Sequence, residues 1–343
     1  MNYREIPGTK LKPSVLCLGA TSFGSAISET DSFRIMDTFY RHGGTFIDTA
    51  HSYADWLPNG KGASERTIGK WLRKTGTRKS TIVSTKGGHR EIHDQSVPRI
   101  SQSVLEEQLS QSLDRLQTDS IDIYWLNRDE PHLPVGEILE ILNTFIRKGQ
   151  VKAIGASNWE LNRLLEAQSY AEKNKLTGFC ASQIGWSLAH ISNSHELDPS
   201  RVYMKDTILE FHNKTKFPLV AYSSQASGFF AKEALRRSGV QNISQKDWLT
   251  KYYYSEENFQ RYDRAMKLAF KYRCETNTIA LSYILSRSFP SFAIVGARNS
   301  EQVESCYAST QLELTKSDLQ FLEKGGSNSD APLRKLFRFC LGN

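Results

Sequence analysis

Short apolar runs rich in β-branched residues alternate along this chain with longer segments of helical spacing. Eight such runs stand out: 14–19 (SVLCLG), 45–50 (TFIDTA), 81–86 (TIVSTK), 120–127 (SIDIYWLN), 152–158 (KAIGASN), 179–186 (FCASQIGW), 218–223 (PLVAYS) and 292–296 (FAIVG). Between them, Val104, Leu105, Leu109, Leu113 and Leu116 form one apolar stripe, and Ile138, Leu139, Leu142, Phe145 and Ile146 another. That 3.6-residue period puts one face of each helix against a sheet. Strands alternating with helices predict a parallel sheet, and eight strands are the number that closes it into a (β/α)8 TIM barrel. The expected fold is therefore an α/β barrel, one domain over residues 1–343, with elaborated loops at its C-terminal face. At the start, YREIPGTKLKPSVL holds a Pro-Gly turn between short extended runs, which predicts a β-hairpin plugging the barrel's bottom.

Two stretches break the rhythm, 189–201 and 229–262. Long segments after barrel strands carry substrate contacts or lids, or are solvated insertions. A helix over 160–173 follows Ser157 and Asn158, either of which can cap it, so capping competes there with a ligand role.

Composition narrows the class. No apolar run approaches the roughly 18 residues of a membrane span, so membrane insertion is not expected. The start, MNYREIPGTK, lacks the apolar stretch of a secretory signal, and five cysteines form an odd set without a CxxC pair. Reduced thiols in a cytoplasmic protein are the expectation. The formal charge of +7 is spread along the chain among acidic residues, without a basic cluster or recognition motif, so nucleic acid is not the expected partner.

Four runs end in polar groups: Asp48, Lys86, Asn127 and the pair Ser157 and Asn158. Barrel active sites lie at the carboxyl ends of the strands, so these residues should meet at one mouth, with Tyr53 folding back over it from the next loop. Taken singly, each has a plain reading as a cap, a loop aromatic or a surface charge. Together, a Lys and an Asp are costly to bury at such a mouth unless they pair. A Tyr beside that cation has its phenolate stabilised and becomes a better proton donor, as carbonyl reduction requires. The hydride must come from a cofactor.

FIDTAHSY followed by GASE (62–65), STKGG (84–88), IDIYWLN, AIGASN, SQIGWS, VAYSS and VGARNSEQV, in that order, resemble the aldo-keto reductase family over nearly the whole chain. The resemblance implies a (β/α)8 barrel that binds NADP(H) without a Rossmann domain, in keeping with the absence of a G-x-G-x-x-G loop. It makes Tyr53 the general acid, Lys86 its tuner and Asp48 the partner of Lys86. Where the family carries a His, this chain has Asn127, which donates a hydrogen bond but does not titrate near neutral pH. His51 and His132 are candidate substitutes.

For the cofactor, the resemblance implies contacts from Gly19, Ala20 and Thr21 after the first strand, and from Asp48. Ser157, Asn158 and Gln183 are assigned to the carboxamide, and Tyr222 to stacking on the ring, against a plain core role for that Tyr. Trp186 is either substrate wall or packing. The turn SSQASGFF offers Ser223, Gln225, Ser227 and Gly228 to the pyrophosphate. Gly296 leads to Arg298, whose guanidinium suits a 2′-phosphate and favours NADP over NAD. Ser305 and Cys306 stand where the family places Glu and Asn around the adenine, which leaves Asn299 and Gln302 as polar partners there. The expected substrate is a small carbonyl or alcohol, with Trp56, Tyr203 and Tyr252 suggesting a sugar.

Two other classes remain open at this point. A cofactor-binding regulatory protein of the same fold is favoured by the missing His. A lyase or isomerase using Lys86 would call for a cluster of metal ligands or a Schiff base.

Overall fold

The computed structural model describes residues 1–58, 60–89, 99–192, 198–237, 239 and 247–325 of the 343. Eight parallel strands close into a barrel in sequence order: β1 (Leu16–Gly19), β2 (Phe46–Asp48), β3 (Ile82–Gly87), β4 (Ile121–Leu126), β5 (Val151–Ser157), β6 (Ser182–Gly185), β7 (Leu219–Tyr222) and β8 (Ser291–Val295). Each lies within or beside a run read from the sequence. Five helices alternate with the early strands: α1 (Glu29–Arg41), α2 (Ala63–Thr75), α3 (Gln102–Leu116), α4 (Val135–Arg147) and α5 (Leu161–Asn174). The two stripes are α3 and α4, whose Leu105, Leu109, Leu139 and Leu142 are buried against the barrel.

After β6 come α6 (Asp206–Thr215), α7 (Phe229–Arg237), α8 (Asp247–Tyr253), α9 (Glu256–Tyr272), α10 (Thr276–Leu285), α11 (Ser300–Tyr307) and α12 (Lys316–Lys324). The stretch 229–262 is thus helical in its described parts rather than an irregular insertion, and Phe229, Phe230 and Tyr262 pack on one another in the core. Residues 193–197, 238 and 240–246 of the two interrupting stretches lie outside the described residues, as does Cys340.

Strand alternation sorts the barrel's interior by height. Toward its bottom, Cys17, Phe46, Ile123, Trp125, Ala153, Ala181, Val220 and Phe292 form an apolar plug. Ile6 and Leu11 of the N-terminal hairpin join it, held by the Ile6 N–H donating to the Leu11 carbonyl at 3.0 Å. Trp125 fits because Gly155 stands across from it: a Cβ at that position would come within 2.2 Å of the indole ring. Two residues beyond each of several plug positions, on the same inward face, stand polar groups at the mouth. Phe46 leads to Asp48, Trp125 to Asn127 and Ala181 to Gln183. The outward residues, among them Leu18, Ile47, Val83, Leu126 and Ile154, pack against the helices. Among the described residues, no helix is long and apolar enough to cross a membrane.

Candidate active site

A cleft of about 1120 Å³ opens at the carboxyl ends of the strands. Tyr53, Lys86 and Asn127 line it, with Asp48 directly behind Lys86. Register explains the grouping. Asp48 pairs with Ser84 across β2 and β3, which sets Lys86 one inward position higher, and Lys86 pairs with Trp125 across β3 and β4, with Asn127 above it.

Lys86 is almost fully buried and its ammonium is saturated: Nζ donates to the Asp48 carboxylate, to the Thr49 carbonyl at 2.7 Å and to the Tyr53 hydroxyl at 3.1 Å. Asp48 also accepts from Ser84 Oγ at 2.6 Å and Gln183 Nε2 at 3.1 Å. Burial disfavours the ammonium, yet the attraction of Asp48 and Tyr53 outweighs it and leaves the Lys86 pKa raised. The lysine is therefore a cation at working pH, fixed by a partner whose removal would strand a buried charge.

The GASE segment anchors the loop that carries Tyr53. Ser64 Oγ bonds both Thr49 Oγ1 and the Ala20 carbonyl, each at 2.7 Å, tying the ends of β1 and β2 together. Glu65, buried at the start of α2, accepts from Thr85 Oγ1 at 2.7 Å and from Arg115, which in turn donates to the His51 carbonyl at 3.3 Å. These bonds hold the Tyr53 loop to β3 and α3.

Asn127 is oriented by its neighbour. Arg128, itself buried, donates through Nη1 to the Asn127 carbonyl at 2.8 Å and to its Oδ1 at 2.6 Å, and through the rest of its fork to Ser200 and Asp198. With Oδ1 occupied, the amide's Nδ2–H groups are the donors it can turn toward a substrate oxygen. Neither proposed substitute histidine reaches the cleft. His51 is buried toward α3, its Nε2 2.8 Å from Gln111 Oε1, and His132 is exposed on the loop before α4. His89, just past the Gly-Gly of STKGG, does line the cleft, as do Ser52, Asp198 and Arg201, none of which the sequence reading singled out as site residues. Its nearness to the end of β3 was the available signal for His89.

The residues expected to meet a cofactor divide. Gly19, Thr21, Ser157, Asn158, Gln183 and Tyr222 line the inner part of the cleft. Ala20 does not: alternation turns its methyl into the helix-facing core while its N–H donates to the Asp48 carbonyl. Ser157 and Asn158 do not cap α5, whose first turn follows Glu160 without a side-chain cap. Asn158 instead has φ +60° and spends its amide on protein groups, donating to the Asn127 carbonyl at 3.2 Å and accepting from Val202 N–H and the Tyr222 hydroxyl. Trp186 points away, packed against Tyr283 and Phe289 with Arg287 over its ring, so it is packing rather than substrate wall. Trp56 lines the cleft, whereas Tyr203 packs on Tyr222 and Tyr252 on Trp248.

Outward along the cleft lie Ser223, Gln225, Ser227 and Gly228, then Gly296, Arg298 and Gln302. The turn after β7 places Ser223, Ala226, Ser227 and Gly228 at φ of +53°, +48°, +57° and +83°, and the Ala226 and Gly228 N–H groups close it on the Ser223 and Gln225 carbonyls at 2.9 and 2.8 Å. Arg298 sits at the lip with its backbone N–H bonded to Gln302 Oε1 at 2.8 Å. A groove running from an inner Tyr–Lys pair past an amide-rich floor and a hydroxyl-bearing turn to an arginine fits an extended nicotinamide dinucleotide. Among the described residues, no cluster of His, Cys, Asp and Glu could hold a metal ion.

Residues 15–325 match the sequence model of the aldo/keto reductase family. The chain belongs to that family. An oxidoreductase of Bacillus subtilis (strain 168), YrpG, is 31% identical over 94% of this chain and 95% of its own length. An aryl-alcohol dehydrogenase of Pestalotiopsis microspora, GME11368, is 27% identical over 93% of this chain and 80% of its own. The solved structure of a thermostable aldo-keto reductase, Tm1743, superposes with a TM-score of 0.70 at 23% identity, covering 95% of this chain and all of that one, and bears out the barrel fold. This aldo-keto reductase is accordingly an oxidoreductase of a family that generally uses nicotinamide cofactors on carbonyl and alcohol substrates.

Proposed function

We propose that this protein is an NADP(H)-dependent carbonyl reductase of the cytoplasm, in which Tyr53 is the general acid. The observation that carries this reading is the 3.1 Å contact between the Lys86 ammonium and the Tyr53 hydroxyl at the floor of the cleft, with Asp48 holding the lysine from behind. A reduced nicotinamide bound along the cleft would supply the hydride, which no side chain can offer. Tyr53 gives its hydroxyl proton to the carbonyl oxygen as that oxygen takes on negative charge, so the product is the alcohol. Lys86 stabilises the phenolate left behind, and because Asp48, Ser84 and Thr49 fix it in place, little reorganisation is needed at that moment. Asn127 donates a second hydrogen bond to the same oxygen. Run backwards, the same groups oxidise an alcohol.

The substrate end is polar: Arg128, Arg201 and Asp198 line the same cleft as Asn127 and Trp56, and Arg128 bonds both Asn127 and Asp198. It would accept a ring carrying oxygen functions, an aryl carbonyl or a keto-sugar. Arg298 favours NADPH over NADH.

Asn127 in place of a titrating side chain favours a second reading, a cofactor-binding protein of low turnover with a regulatory role. One experiment separates the two. Purified protein is titrated with NADPH by fluorescence quenching, then followed at the nicotinamide absorbance band with aryl aldehydes, ketones and keto-sugars. NADPH consumption in step with alcohol formation is expected of the reductase. Binding without consumption on any carbonyl would leave the regulatory reading, and absence of binding would end both. In the same assay Asn127→His should raise turnover about tenfold or more and introduce a pH-dependent limb between about pH 6 and 8. An unchanged rate would show that the amide does not limit the chemistry.

A further inference from the structure

Among the described residues, the outer end of the cleft holds one buried polar side chain with an unbonded acceptor. Asn277, the second residue of α10, is only 5% exposed, yet it lines the cleft and its Oδ1 is buried without a hydrogen-bond partner. Its polar neighbours are tied to one another. Gln225 accepts from the Gly296 N–H at 3.2 Å and donates to Cys306 Sγ at 3.3 Å, and Ser305 donates to Glu275, the residue that precedes α10, at 3.0 Å. These bonds bring the start of α10 beside Ser305 and Cys306, the two positions at which this chain lacks the Glu and Asn expected around an adenine.

A buried acceptor without a donor costs stability, and it is retained where a ligand supplies the donor. We infer that Asn277 is the adenine-recognition residue of this chain, its carboxamide accepting from the exocyclic amine of the base and donating to the adjacent ring nitrogen. An Asn side chain and the adenine edge match in just this way, one acceptor and one donor on each. The inference rests on the nicotinamide-dinucleotide reading and assigns its outer half. It also accounts for Ser305 and Cys306: with the base held from α10, the clamp on α11 is dispensable. Gln225 and Gln302, already engaged with the Gly296 and Arg298 backbone, fix the wall between the turn after β7 and the base.

The test uses the two halves of the dinucleotide as separate probes. Adenosine 2′,5′-bisphosphate carries the base and the 2′-phosphate, and reduced nicotinamide mononucleotide carries the reacting ring. Dissociation constants for both, and for NADPH, are measured on the wild type and on Asn277→Leu. NADPH and the bisphosphate should each bind about tenfold more weakly to the variant, the scale of one hydrogen bond to a buried group, with the mononucleotide unchanged. Because leucine removes an unsatisfied buried acceptor, the unfolding temperature of the ligand-free variant should not fall. Should leucine prevent folding, Asn277→Ser serves, with the same split expected between the probes. Unchanged affinity for the bisphosphate, or equal weakening of both halves, would overturn the assignment while leaving the reductase reading intact. Failure of the wild type to bind any of the three would instead sink the reading beneath it.

Discussion

The inner and outer ends of the cleft are built on different principles. At the inner end Asp48 and Lys86 project from adjoining strands, are almost fully buried, and share carboxylate, carbonyl and hydroxyl partners within a closed network. At the outer end Arg298, Ser305 and Gln302 sit on β8's exit loop and α11 with side chains exposed or half-buried, Gln302 accepting from the Arg298 backbone and Ser305 donating to Glu275. Strands of a barrel are fixed by both neighbours, so groups at their ends are placed to fractions of an ångström, which proton transfer needs. Loop-borne groups tolerate substitution, and Ser305 and Cys306 depart from the family pattern there, whereas at the inner end the departure is the single residue Asn127 just past β4. On the proposed reading, proton transfer belongs to the inner end, where Lys86 fixes the loop-borne Tyr53, and cofactor preference to the outer one.

The sharpest way to break that division is Lys86→Met. It leaves the Asp48 carboxylate buried without its cation, so stability should fall by about 3–5 kcal/mol, read as a lower denaturant midpoint. Turnover should fall with it by about 10²–10⁴-fold. If stability were unchanged, the inner network would not be the structural unit described. A smaller effect is expected at the lip. Arg298→Met should weaken NADPH about tenfold, leave NADH binding as it was, and leave the unfolding midpoint untouched, since the side chain makes no ion pair among the described residues. Equal loss for both cofactors would show that Arg298 does not read the 2′-phosphate.

The same contrast governs how much could be read from sequence. All eight strands were legible because their apolar runs are bounded by turns and interleaved with 3.6-period stripes, and the inner site followed from polar residues at the ends of those runs. The turn after β7 was legible as well, since SSQASGFF is contiguous. The sequence did not carry the partners that arrive across the fold. Arg201 and Asp198 come from a segment without periodicity. Asn277 was hidden differently: every residue of α10 is buried, so the helix shows no amphipathic stripe against which a polar residue would stand out. His51 misled because it lies only two residues before Tyr53 in sequence, whereas its ring turns to Gln111 on α3. Ala20 misled for a simpler reason, lying one residue past an inward-facing glycine and so facing outward.

The central claim is that Tyr53 delivers the proton to the carbonyl oxygen. Tyr53→Phe removes one hydroxyl and keeps the ring over Lys86, which stands 4.8 Å from its centroid. Single-turnover oxidation of bound NADPH by a saturating aryl aldehyde, measured beside the NADPH dissociation constant, tests it most directly. The account predicts an unchanged dissociation constant and a rate at least about 10²-fold lower. A variant that binds NADPH equally well and reduces the aldehyde at the wild-type rate would contradict it.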